Sequence, residues 1–120
     1  MNANGCDIDA MISLRRQIHK YPEGAFNEFV TQKLLADTLE RFGVDRKCMK
    51  TCAKTGLVVD IMGTGTPDKN ATGPKLVALR TDLDGLPMPE NNPGLEYKST
   101  TDWAHMCGHD GHMACLMAAA

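Results

Sequence analysis

A chain of 120 residues has room for one modest hydrophobic core, and 42% hydrophobic with 23% charged residues is ordinary for a globular protein. A net charge of −2 with interspersed signs offers no basic stripe to a nucleic-acid backbone and no polybasic face to an anionic membrane, so neither is an expected partner. The apolar runs fall far short of the roughly 20 residues of a membrane-spanning helix, the start from Met1 to Asp9 lacks the apolar centre of a signal peptide, and the expected compartment is the cytoplasm.

The first periodic segment runs from Asp7 to Lys20. Ile8, Met11, Ile12, Leu14, Arg15 and Ile18 form a stripe at helical spacing, with Asp7 as N-cap and Pro22 as the stop. A second helix fits Phe26 to Phe42, with Gly43 where a C-terminal cap belongs. Thr55 to Met62 and Lys75 to Leu83 are short β-branched and aliphatic runs flanking a segment of turn formers, Gly63 to Asn70, and read as two strands joined by a hairpin. The second run, Leu76-Val77-Ala78-Leu79, shows no polar alternation and predicts a central strand covered on both faces. From Pro87 to Ala104 the chain predicts a long ordered loop crossing the sheet. Asp110 then caps a helix beginning near Gly111 and continuing to the last residues. The fold class is α/β, with residues 1–120 forming one unit.

The chemistry concentrates in His105-Met106-Cys107-Gly108-His109-Asp110-Gly111-His112, which gathers a thiol and several imidazoles, the donors that transition metals prefer, around two glycines. Taken alone, the triplet Cys107-Gly108-His109 equally suits a buried thiol beside a hydrogen-bonded loop histidine. Asp82 and Asp84 form a second cluster at the end of an apolar run, where alternation points both to one face. They read either as part of a ligand site or as turn-capping aspartates ahead of Pro87. His19, at the end of the first helix, reads as a histidine favoured by the helix dipole. The five cysteines, irregularly spaced and odd in number, suggest reduced thiols.

Four segments in order carry one resemblance: Leu14 to Glu23 (Leu-Arg-Arg-Gln-Ile-His-Lys-Tyr-Pro-Glu), Thr55-Gly56-Leu57-Val58, Ala78 to Pro87 (Ala-Leu-Arg-Thr-Asp-Leu-Asp-Gly-Leu-Pro), and His105 to His112. Together they resemble the M20 metallopeptidases, in particular the branch of N-acyl-amino-acid amidohydrolases, hippurate hydrolases and auxin-conjugate hydrolases. The resemblance implies the first part of an M20-type catalytic domain, with two N-terminal helices, a β-hairpin feeding a central sheet and the start of a C-terminal helix. It also implies hydrolysis of the amide bond of N-acyl amino acids or similar small-molecule conjugates, using two divalent metal ions, zinc or manganese, to activate water and polarise the carbonyl. Cys107 and His109 match the family's first two metal ligands. Asp84 matches the aspartate of the Asp-x-x-Pro pattern, whose role is to orient a metal-bound histidine or to support the metal pair. Asp82 falls where other branches place a ligating histidine.

The chain also departs from the family. It has no adjacent glutamates to supply the general base, and after His112 the only titratable side chain is Cys115. The further histidine ligands and the smaller lid and dimerisation domain are likewise missing. The expectation is therefore the first third of such an enzyme, inactive as an isolated chain. The alternative is a truncated relative that acts as a binding or scaffold subunit, in a homo-oligomer or completed by a partner chain.

Overall fold

The computed structural model describes residues 7–66, 72–73 and 76–120, so Cys6, much of the expected turn after Gly63, and Lys75 lie outside the described residues. Helix α1 spans Ile8–Lys20, with the Asp7 carboxylate accepting the Ala10 N–H at 3.1 Å as the sequence predicts. Helix α2 spans Phe29–Arg41, starting later than expected because Phe26 adopts φ +61° and turns the chain out of helical geometry. The N-terminal amides of α2 are satisfied from a distance. The Glu23 carboxylate accepts the N–H groups of Val30 and Thr31 at 3.1 and 2.7 Å. Gly43 closes the C-terminal end at φ +96°, with the Val44 N–H returning to the Leu39 carbonyl at 3.0 Å.

A single 3-10 turn, Arg46–Cys48, leads into β1, Met49–Cys52, which pairs antiparallel with β2, Gly56–Val59, in the register Met49 to Val59 and Cys52 to Gly56. The α/β class and the presence of a hairpin agree with the sequence, but the pairing does not. The partner of the Thr55 to Met62 run is the segment before it, not Lys75 to Leu83. The turn uses Ala53 and Lys54 at φ +47° and +77°, a left-handed geometry that leaves too little chain for any longer connection. Among the described residues, 76–83 forms no strand, and Leu76, Val77 and Leu79 are 83%, 77% and 62% exposed. An apolar run of this kind becomes a central strand only where neighbouring strands are present to pair with it.

The long loop after Pro87 is ordered as expected. Its ends are pinned by a two-way bridge between Leu86 and Ala104, with both N–H to carbonyl distances at 2.9 Å. Instead of crossing a sheet, it lies against the C-terminal end of α1. Helix α3, His109–Ala119, begins two residues earlier than Gly111. Gly108 at φ +84° makes the entry turn, which an L side chain would strain. The core is helical: Met11, Leu14 and Ile18 of α1 meet Leu35 and Leu39 of α2 and Met113 and Met117 of α3, with Leu57 and Val59 of β2 packed alongside. Among the described residues, no helix is long and apolar enough to cross a membrane.

Candidate metal centre

Packing α3 on α1 brings the Cys107-Gly108-His109 turn over the segment that ends at Asp84. The Nδ1 of His109 lies 2.9 Å from the Asp84 main-chain oxygen and 3.2 Å from its carboxylate. Both are acceptors, so Nδ1 carries the proton and the Nε2 lone pair is left facing outward. Asp82 stands on the same side, its Oδ2 3.9 Å from His109 Nε2, outside hydrogen-bonding range. Its other oxygen is held by Arg80 at 2.5 Å. Cys107 is exposed, which removes the reading of it as a buried small hydrophobe. His112 lies beside His109 with ring centroids 6.1 Å apart.

Behind this turn lies a polar cluster that the sequence reading missed. His19 is buried, with Nδ1 2.8 Å from Asp110 Oδ2 and Nε2 3.1 Å from Glu90 Oε1. Arg15, one turn earlier on α1, reaches the same Asp110 oxygen at 2.7 Å. Asp110 was expected to cap a helix beginning at Gly111; instead its side chain turns inward, and Gly108 occupies the cap position. The signal that could have revealed this is the i,i+4 pair Arg15 and His19, two polar side chains stacked on one face of a helix striped with apolar residues.

Burial pushes the Glu90 carboxyl up, but hydrogen bonds from Asn92, the Ser99 N–H and His19 outweigh it and hold the group at about 2. His105 is also buried, and burial pushes its imidazole down toward the neutral form. Among the described residues, neither of its ring nitrogens has a hydrogen-bond partner, nor does Asp110 Oδ1.

The donors suit a divalent transition metal in kind: a thiol and an imidazole whose second nitrogen is fixed by a carboxylate. They are short in number. Among the described residues, no three His, Cys, Asp or Glu side chains gather closely enough to hold a metal ion unaided, whereas open catalytic zinc sites use about three protein ligands.

Comparison with known proteins matches residues 78–120 to the family described as Peptidase family M20/M25/M40. Over 93% of its length the chain is 41% identical to thermostable carboxypeptidase 1 of Saccharolobus solfataricus, of which it covers 26%. Over 89% of its length it is 41% identical to a hippurate hydrolase of Campylobacter jejuni, again covering 26%. Over 94% it is 40% identical to IAA-amino acid hydrolase ILR1-like 2 of Arabidopsis thaliana, covering 24%. The fold superimposes with a TM-score of 0.74 and 31% identity on a dinuclear metal-binding peptidase of the M20 family from Bacillus subtilis, over 91% of this chain and 28% of that one. The chain thus spans about a quarter of the length of the relatives it matches.

Proposed function

We propose that this chain is the N-terminal part of an M20-type peptidase, in keeping with the match of residues 78–120 to that family, and that it contributes the Cys107 and His109 donors to a metal-dependent hydrolase of N-acyl amino acids or similar conjugates in the cytoplasm. The observation that carries this reading is the fixed His109 ring, with Nδ1 on Asp84 and Nε2 free to bind. Bound metal ions, zinc or manganese, would supply Lewis acidity toward an amide carbonyl and activation of water.

The chain's own residues prepare that site. Asp84 fixes the tautomer of His109 and makes its free nitrogen more basic. Gly108 allows thiol and imidazole to approach from one tight turn. Asp82 stands beside Nε2, but its other oxygen is paired with Arg80, whose positive charge offsets the pull of the carboxylate on a cation. Glu90, in the cluster behind the turn, is already engaged by His19, Asn92 and the Ser99 N–H, so this reading gives it no proton-transfer role.

The exposed run Leu76-Val77-Ala78-Leu79 favours a second reading, in which the chain binds another polypeptide that covers it and serves as a scaffold. A chimera separates the two: this chain is substituted for the N-terminal quarter of a hippurate hydrolase. Hippurate cleavage that disappears with Cys107→Ala or His109→Ala supports the hydrolase reading. A folded chimera that binds no metal and cleaves nothing contradicts it.

A further inference from the structure

We propose that His19 is a positioning residue for this site: by holding Asp110 against Glu90, it sets where the Cys107-Gly108-His109 turn stands over Asp84. The proposal rests on the reading of Cys107 and His109 as donors and adds a residue that touches neither metal nor substrate. His19 sits at the C-terminal end of α1, only 4% exposed, with both ring nitrogens engaged. Its two partners are 91 and 71 residues away in the chain, so one imidazole ties together α1, the long loop and the first turn of α3.

Ionised carboxylates accept hydrogen bonds and cannot donate them, so each ring nitrogen facing one must supply a proton. The imidazole thus stands between two carboxylates, Asp110 at Nδ1 and Glu90 at Nε2. Arg15, partly exposed, adds a guanidinium 2.7 Å from the same Asp110 oxygen and so helps hold that carboxylate in place. Glu90 is itself held fast: Oε2 accepts the Ser99 N–H at 2.6 Å, and Oε1 accepts from Asn92 at 2.8 Å. Asp110 immediately follows His109 in α3. Any release of Asp110 is therefore felt one residue away, at the imidazole that must meet Asp84.

Two conservative variants separate positioning from general stability. In His19→Asn the amide nitrogen falls near the original Nδ1 and keeps the bond to Asp110. In His19→Gln it falls near Nε2 and keeps the bond to Glu90 alone. The readout is the pair of ring nitrogen-15 signals of His109 in the 120-residue chain, which stay well separated while one tautomer is fixed and converge when the ring is released.

Retained separation in His19→Asn with convergence in His19→Gln is the expected result. The same behaviour in both variants overturns the proposal, as does a His109 ring that is already averaged in the unsubstituted chain. If neither variant folds, the unsubstituted His19 ring decides: protons on both nitrogens support the clamp, and a proton on only one overturns it. Cadmium titration of the same chain reports the donor role of Cys107 separately. Its failure would sink the metal reading while leaving the His109 comparison intact.

Discussion

His109 and Asp84 meet through one ring nitrogen, with Nδ1 2.9 Å from the aspartate's main-chain oxygen and 3.2 Å from its carboxylate. This contact decides which His109 nitrogen is free, and a metal ligand needs a free one. Removing the carboxylate by Asp84→Ala leaves the main-chain contact in place. Carboxylates behind ligating histidines are worth roughly 10–100-fold in metal affinity, so we expect a loss of about tenfold with the helical circular dichroism unchanged. An affinity within twofold of the original would mean that the main-chain oxygen suffices.

The helical core makes a prediction about stability. Met113 is wholly buried between α1 and α3. Met113→Ala should cost about 2–5 kcal/mol through lost burial and the cavity left behind, measured by urea denaturation. A cost under about 1 kcal/mol would mean that α3 is not seated on α1 as described.

Gly24 lies flat against Trp103, and a Cβ built there would stand 2.4 Å from the indole ring. Gly24→Ala should therefore push the ring aside, at about 1–3 kcal/mol, typical of overpacking. Trp103 is the only tryptophan, so its fluorescence reports the displacement directly. An unchanged spectrum and stability would show that the loop accommodates a methyl group.

Acid should weaken the clamp around His19. The Glu90 carboxyl is held at about 2 in the folded chain against an ordinary 4.5. Between those values the unfolded chain binds the extra proton and the folded chain does not, so this contribution is complete above about pH 4.5 and is lost as the pH falls toward 2. Other carboxylates titrate in the same range, so the measurement is the difference between the original chain and Glu90→Gln in urea at pH 5 and pH 3. That difference should shrink at pH 3, and a constant difference would contradict the depressed value.

What could be read from the sequence was what depends on neighbours close along the chain. The Asp7 cap, the stripe through Met11, Leu14 and Ile18, the stop at Gly43 and the ordered loop after Pro87 are all local signals, and the structure carries each of them. The hairpin was misread because β1, Met-Lys-Thr-Cys, is mostly exposed and has little apolar pattern. Its turn also relies on Ala53 and Lys54 at positive φ, residue types that give no warning of it. His19 was read as a dipole-favoured helix end because nothing near it in sequence announces Asp110 or Glu90. The pairing of Asp84 with His109 spans 25 residues, and it was legible only because both fall within motifs that resemble one family.

The central assignment is that Cys107 and His109 are both metal donors. Cadmium added in excess to the 120-residue chain gives an ultraviolet thiolate charge-transfer band wherever a cysteine binds it, and substitution identifies which cysteine is responsible. We expect a band that is abolished in Cys107→Ser and weakened at least tenfold in apparent affinity in His109→Ala, in line with the loss of one of few ligands. A band that survives Cys107→Ser, or one indifferent to His109, would contradict the assignment of this turn as a metal site.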